Sequence, residues 1–213
     1  MHCASAQEKS EPVPCEPALA SLSDILDQAF AQLAEGRFED AIEGFSEYLL
    51  IEPGEAKAYQ GRAQAYFQVK NWTAAVSDFK KAAELNPGEQ ENYIGWGMGL
   101  AMVNQIYEAI AVFDDLLARY PDYTRGHIQL GMLYYRLGII KKGHHEMDLA
   151  LASRPALEER QTIERLKGEQ MTLDKKRLYR PDFEELRRAN EASEGVLQQV
   201  LNFIKSKFRK KQD

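Results

Sequence analysis

Two runs of apolar side chains with helical spacing occupy residues 56–89. The first run recurs at intervals of four, three and three residues, through Tyr59, Ala63, Tyr66 and Val69. The pattern stops at Lys70-Asn71, and a second run follows, made of Ala75, Val76, Phe79, Ala82 and Ala83. Pro87 disfavours helical geometry at the residue before it, so the second helix ends there. The stretch therefore predicts two helices joined by a short turn, with small residues where the helices cross.

The same hairpin pattern repeats along the chain with a period of 34 residues. Prolines keep this interval at Pro53, Pro87, Pro121 and Pro155. A column of small residues keeps it at Ala41, Ala75, Ala109 and Gly143, and a column of large ones at Phe45, Phe79, Phe113 and Met147. A fixed period in this range is typical of a solenoid of stacked units. The units are 22–55, 56–89, 90–123 and 124–157, and they predict helices near 20–34, 38–51, 55–69, 72–85, 89–103, 106–119, 123–137 and 140–153.

The period, the column of small residues and the closing proline resemble the tetratricopeptide repeat (TPR) family. The resemblance covers all four units and implies an all-α fold in which the hairpins stack into a right-handed superhelix. It also implies that the first helix of each unit lines the concave face. The first and fourth units depart from the family pattern, and we interpret these departures as end effects, because a terminal unit lacks one neighbour. TPR arrays are scaffolds with varied partners, so the resemblance indicates protein binding without naming the partner.

The segments that flank the array, which spans 18–157, have other patterns. Residues 1–17 contain three prolines and no apolar period, which predicts a disordered N-terminal tail. Residues 158–178 carry one apolar stripe on a charged segment, which predicts a capping helix over the last hairpin. Residues 179–213 predict a C-terminal amphipathic helix with a basic end. We expect this helix to fold back on the array and to cover part of the concave groove.

The composition places the chain among soluble proteins, with 44% hydrophobic and 28% charged residues in a length of 213. No apolar run approaches the roughly 20 residues that span a bilayer, and no apolar segment near the start is typical of a signal peptide. Cys3 and Cys15 both precede the repeats, which excludes a disulfide framework within the array. These observations favour a cytoplasmic protein.

Charge is distributed unevenly along the chain. Residues 175–213 carry 11 Lys and Arg against 6 Asp and Glu, whereas the preceding residues carry 16 against 27. A basic end on an amphipathic helix is suited to contact with a membrane surface and equally to packing on an acidic array. No nucleic-acid partner is expected.

We find no residue pattern that indicates catalysis, a metal or a cofactor. The sequence has no glycine-rich phosphate loop, no paired-cysteine motif and no nucleophile elbow. The run Gly95–Gly99 falls inside a predicted helix, where its glycines favour close helix packing. His144 and His145 point about 100° apart on one helix, so they do not form a metal site together. His127 replaces a tyrosine in its column, and we expect a packed, hydrogen-bonded side chain.

The candidate binding site is the concave face that the resemblance implies. Its predicted lining is rich in Met, Ile and Gln, with cations at its edges: Phe30, Lys57, Gln60, Gln64, Phe67, Ile94, Met98, Met102, Arg125, Ile128, Met132, Tyr135 and Arg136. Methionine adapts to irregular apolar ligands, and an exposed apolar stripe is typical of a surface that binds a peptide or a helix. Some TPR domains hold a C-terminal carboxylate through Lys and Asn. The matching places in the first unit are Leu26 and Phe30, so that clamp is not expected here.

The leading hypothesis is a non-catalytic scaffold that binds a peptide or helix of a partner protein in its concave groove. One alternative is a membrane-peripheral adaptor that its basic amphipathic C-terminal helix holds at the surface. Another is a chaperone of the secretion or pilus type, and a homodimer is also left open. A catalytic function is the least favoured hypothesis.

Overall fold

The computed structural model describes residues 21–178 and 194–202. The predicted tail over 1–17, the segment 179–193 and the basic end over 203–213 lie outside the described residues. The described part is helical, and a helical segment spans 194–202. The preceding helices, each within two residues of a predicted one, are α1 Leu22–Ala34, α2 Phe38–Ile51, α3 Ala56–Gln68, α4 Trp72–Leu85, α5 Gln90–Met102, α6 Ile106–Arg119, α7 Thr124–Arg136, α8 Ile140–Ala152 and α9 Leu157–Leu178.

The turn inside each hairpin contains one residue in the left-handed conformation, always at the same position of the repeat. These residues are Gly36, Lys70, Asn104 and Gly138, with φ between 61° and 79°. Glycine adopts this conformation without steric cost, whereas a residue with a Cβ pays roughly 1–2 kcal/mol. The turn geometry is therefore kept in every hairpin, even where the sequence does not supply glycine.

The array curves with its odd-numbered helices on the inside. Each helix packs against the next one along the chain, and α1, α3, α5 and α7 also contact one another in succession. Among the described residues, the even-numbered helices make no mutual contact of comparable extent. Because the odd-numbered helices are closer together, they line the concave face, as the sequence predicts.

In the first two units, one large side chain of the second helix is wedged against the first helix of the next unit. Phe45 is fully buried against Gly61, and Phe79 packs in the same way against Gly95. A Cβ added at Gly61 would lie 2.4 Å from Phe45 Cζ, and one at Gly95 would lie 2.5 Å from Phe79 Cζ. The absence of a side chain at these positions therefore creates the slot that the aromatic ring fills.

The same column of large side chains also fills a slot within its own hairpin. A Cβ added at Gly97 would lie 2.4 Å from Phe113 Cζ, and one at Gly131 would lie 3.0 Å from Met147 Cε. This confirms that Gly97, inside the Gly95–Gly99 run, serves close helix packing. Phe113 and Met147 are thus packed closely against the first helix of their own hairpin.

The last hairpin is covered by α9, which takes the place of a fifth first helix. Ile163 is fully buried with Met147 and Ala150, and Lys167 forms an ion pair with Asp148 on α8. Ile163 lies one period after Gln129, so it meets Met147 where Gly61 and Gly95 meet the two phenylalanines. The contact between these two columns therefore continues into α9, with an isoleucine in place of the glycine and a methionine in place of the phenylalanine.

The 194–202 segment also packs on the array. Leu197 is 1% exposed and Leu201 is 2% exposed, and both belong to the apolar cluster that α5, α6 and α7 build. Val196, one residue away from Leu197, is 57% exposed. The segment is therefore buried along one face only.

Two glycine substitutions at helix-interior positions are expected to act in opposite directions. Gly61→Ala should destabilise the protein by about 1–3 kcal/mol, because the new methyl group overlaps the buried ring of Phe45. Gly168→Ala should stabilise it by roughly 0.5–1 kcal/mol, because no atom lies within 4 Å of the new Cβ and alanine is the better helix former. Urea unfolding of both variants measures the two changes. A stabilised Gly61→Ala variant would contradict the wedge contact.

Candidate binding groove

The structure places all thirteen predicted site residues on the odd-numbered helices. Phe30 lies on α1, and the other twelve lie on α3, α5 and α7. They differ in what they offer to a ligand, because some are exposed on the concave face and others are engaged in packing. The two groups are separated by burial and by hydrogen bonding.

The exposed part of the groove combines thioether and amide side chains. Met102 is 52% exposed and Met132 is 42% exposed, so both thioether side chains reach the solvent. Gln64 on α3 is exposed, and Gln60 and Met98 are half-buried. The central concave surface is therefore apolar along α5 and α7 and polar along α3.

Lys57 is an exposed cation at the beginning of α3. Its backbone N–H donates to Glu55 Oε1 at 3.2 Å, but its ammonium group forms no ion pair with a described residue. Lys57 is therefore free to meet an acidic group of a ligand at this end of the groove.

Several predicted residues belong to the floor or the walls of the groove. Ile94 and Ile128 are only 2% and 8% exposed and lie in apolar clusters. The ring of Phe30 packs edge-on against Phe45 at 4.9 Å, and the ring of Phe67 packs edge-on against Trp72 at 4.7 Å. These side chains shape the groove and offer little surface for contact.

The predicted edge cation Arg125 is already paired. It forms an ion pair with Glu91 on α5, and the hydroxyl group of Tyr123 donates to the same carboxylate at 2.7 Å. Burial, together with this hydrogen bond to Glu91, raises the pKa of Tyr123. The network joins the third and fourth units at the beginnings of α5 and α7.

Arg136 joins the same two units at the other ends of these helices. Its guanidinium group donates to the backbone carbonyl of Ala101 at 2.9 Å and to Oδ1 of Asn104 at 3.2 Å. A cation at this place also satisfies a carbonyl group at the C-terminus of α5. The α5–α7 wall is thus held at both ends, while Met102 at the end of α5 and Met132 on α7 remain exposed.

The remaining predicted residue, Tyr135, packs against α8, the second helix of its own hairpin. Its hydroxyl group lies 2.9 Å from Nδ1 of His144, and the two rings meet edge-on at 5.4 Å. Beside α7 the groove ends in a cleft of about 240 Å³ that α9 closes, lined by Arg125, Ile128, Gln129, Glu158, Glu159 and Thr162. A ligand that follows the groove therefore meets acidic side chains of α9 at this end.

His127 is the buried ionisable group of the fourth unit. Nδ1 lies 2.8 Å from Oε2 of Glu146, and Nε2 lies 2.7 Å from the carbonyl oxygen of Pro121. A carboxylate and a carbonyl group both accept, so this arrangement stabilises the protonated ring, which donates from both nitrogens. Burial by itself lowers the pKa of His127, but the bonds to Glu146 and Pro121 and the charges of Glu146 and Asp122 outweigh it, so the pKa is raised. The expected packed, hydrogen-bonded histidine is confirmed.

A second largely buried ion pair lies in the second unit, and its acid occupies the same repeat position as Glu146. Arg62 on α3 makes two hydrogen bonds to Asp78 on α4, at 2.7 and 3.0 Å, and its guanidinium group also lies over the ring of Tyr59. Asp78 and Glu146 stand two periods apart in one column. Sequence reasoning missed both pairs. The signal was an acidic residue at a repeat position that is Gly44 and Val112 in the other two units.

No group of three or more metal-binding side chains is found among residues 21–178 and 194–202. His144 and His145 diverge as expected, since His144 bonds to Tyr135 and His145 is exposed. The polar contacts described above serve the cohesion of the repeats.

Comparisons with known proteins agree with the repeat pattern. Residues 56–89 match the family model described as tetratricopeptide repeat. The Protein SGT1 homolog of Oryza sativa subsp. japonica is 32% identical over 97 residues, which cover 46% of this chain and 26% of that protein. The chain spans about a fifth to a quarter of the length of the first curated relatives it matches.

Two solved structures share the fold at low sequence identity. MamA from Desulfovibrio magneticus RS-1 (41-end) superposes with a TM-score of 0.61 and 18% identity, covering 84% of this chain and 95% of that one. The first TPR of Spaghetti (RPAP3), bound to the HSP90 peptide SRMEEVD, superposes with a TM-score of 0.51 and 20% identity, covering 55% and 93%.

The charge on His127 makes the stability of the fourth unit dependent on pH. The folded-state pKa lies above the ordinary value of 6.5, so the contribution is fully present below pH 6.5 and is lost as the pH rises through the folded-state pKa. His127→Gln should therefore reduce the fall of the melting temperature between pH 6.5 and alkaline pH, whereas His145→Gln should leave it unchanged because His145 is exposed. Thermal unfolding across this range measures the effect, and identical profiles for the two variants would refute it.

Proposed function

The chain is a tetratricopeptide repeat protein, and we propose that it is a non-catalytic scaffold that binds an extended segment of a partner protein in its concave groove. The observation that carries the proposal is the exposure of Met102 and Met132 on the inner face of the array. Large apolar side chains that remain in water on a concave surface are typical of a site that a ligand covers.

The apolar wall favours aliphatic or aromatic side chains in the ligand. Burial of a methionine side chain contributes about 1.5–3 kcal/mol, so covering Met102 and Met132 supplies several kilocalories per mole before the costs of association. Methionine is unbranched and adapts to different side chains. The ion pair of Arg125 with Glu91 at one end of the α5–α7 wall and the hydrogen bond from Arg136 to the carbonyl group of Ala101 at the other hold the backbones in place, so little order is lost when a ligand binds.

The polar part of the concave surface, along α3, favours a ligand with an extended backbone. Gln60, Gln64 and Gln68 follow each other at intervals of four residues along α3 and form a row of amides. Each amide group both donates and accepts, as does each peptide unit of an extended segment. The free ammonium group of Lys57 at the beginning of α3 favours an acidic residue in the ligand. The ligand we propose therefore has apolar side chains towards Met102 and Met132 and an acidic group towards Lys57.

Similar proteins support peptide binding in general terms. The TPR of Spaghetti (RPAP3) is a structure with a bound peptide, and the likeness at 20% identity concerns the fold. The residues that would contact a ligand in this chain are its own, so the identity of the partner does not follow from that complex. In the described residues, no helix has the length and apolarity to cross a membrane. The cytoplasmic location stays a prediction.

A pair of charged substitutions in the groove should abolish binding. Peptides are first selected on the full chain from a random display library, and their dissociation constants are then measured by fluorescence anisotropy. Met102→Glu with Met132→Glu should weaken binding by at least about tenfold, because a carboxylate buried against an apolar side chain loses its hydration. Met171→Glu with Leu173→Glu is the matched control, since these residues of α9 are 52% and 53% exposed outside the groove.

Two results would overturn the groove as the binding site. One is unchanged affinity of the groove variant while its circular dichroism remains helical. The other is an equal loss in both double variants, which would mean that any added negative charge impairs binding. Failure to select peptides on the wild-type chain would count against an extended ligand.

A further inference from the structure

The outer face of the third unit is buried where the other units are exposed. Ala111 on α6 is 5% exposed, whereas Glu43, Ser77 and His145 at the same position of the other repeats are all exposed. Neighbouring residues of a single helix do not hide a small side chain that points outward. Another part of the protein therefore covers α6 at Ala111.

Two further columns show the same difference close by. Ile110 is fully buried, whereas Ile42, Val76 and His144 in its column are half-buried. Ile139, at the start of α8, is 3% exposed, whereas Arg37, Asn71 and Gln105 in its column are exposed. The first turns of α6 and α8 lie at the same edge of the array, because both follow a hairpin turn. The cover therefore extends over the outer face between α6 and α8, at the edge that carries the hairpin turns.

The described segment 194–202 contains buried residues whose packing partners have not yet been named. Leu197 and Leu201 stand four residues apart, on one face of a helix, and belong to the apolar cluster that contains Ala111, Ile110 and Ile139. Contact between this segment and the outer face therefore explains the burial of both. Val196 points away and is exposed.

The side chains of the concave groove are not buried in the same way. Met102 and Met132 keep 52% and 42% of their surface exposed. Ile94 is buried, but so is Ile128 in the same column, so the third unit does not differ from the fourth on the inner face. The expectation that the C-terminal helix lies over the groove therefore finds no support in the burial of the groove residues.

The path of the chain agrees with an outer position. α9 has 22 residues whereas α7 has 13, so α9 extends about 13 Å further at 1.5 Å per residue. Since α9 occupies the place of a first helix, its extra turns project beyond the edge that carries the hairpin turns. The chain therefore leaves α9 at the edge that carries the buried Ile139.

We propose that the 194–202 segment is seated in cis on the outer face of the third unit, over Ala111, through Leu197 and Leu201. The third unit then has two occupied faces, an outer one that binds the chain's own C-terminal segment and an inner one that stays open for a ligand. The segment acts as a strap on the back of the array and does not compete for the groove.

Thiol accessibility at two matched positions tests the proposal. Ala111→Cys and Ser77→Cys are introduced separately into the full chain, and the rate of alkylation by iodoacetamide at each site is followed by peptide mass spectrometry. The two positions are equivalent in the repeat, so they differ only in what covers them. Cys at 111 should react at least about tenfold more slowly than Cys at 77, because it reacts only when the segment opens.

A second pair of substitutions identifies the cover. Leu197→Ser with Leu201→Ser should raise the alkylation rate at 111 to that at 77, and it should leave the rate at 77 unchanged. Equal rates at 111 and 77 in the otherwise unchanged chain would overturn the proposal. So would slow alkylation at 111 that persists in the Leu197→Ser, Leu201→Ser chain, or protection that disappears on dilution, which would assign the cover to a second copy. Circular dichroism on each variant ensures that the array is folded.

Discussion

The array depends on one contact between a large side chain and the small residues around it. In each of the first two units, a phenylalanine of the second helix fills a slot that a glycine of the following first helix leaves open. This contact brings the first helices close to one another and sets the curvature of the array, because no comparable contact draws the second helices together. A solenoid has no central core, so its stability is a sum of such contacts between neighbours. The concave face is a direct consequence of the wedge.

Polar contacts then decide which parts of the concave face are rigid. The third and fourth units are joined at both ends of α5 and α7, by Glu91 with Arg125 and by Arg136 with the end of α5. Inside the hairpins, Arg62–Asp78 and His127–Glu146 take the place of apolar packing in two of the four units. A buried charge without a partner is strongly destabilising, so these pairs also specify which helix faces which. The exposed methionines lie on the helices α5 and α7, which these contacts join at both ends.

The two faces of the third unit have separate roles in the functions we propose. Its inner face offers Met98 and Met102 to an extended ligand, and its outer face is covered over Ala111. A strap on the outer face adds apolar burial to the middle of the array without occupying the groove. The end of the array is closed in another way, by α9, whose Ile163 continues the series of wedge contacts beyond the last hairpin.

The sequence by itself determined the number of units and the positions of the helices within two residues. It could do so because a period of 34 residues imposes the same local contacts four times, and because helix boundaries follow from prolines and turns close by in the chain. Only the tertiary structure decided which groove residues are free. Arg125, Arg136 and Tyr135 are engaged with groups 9 to 35 residues away in sequence, and Ile94 and Ile128 are buried by neighbouring helices. The position that we propose for the C-terminal segment likewise rests on tertiary burial, because an amphipathic helix shows that it needs an apolar partner but not which surface provides it.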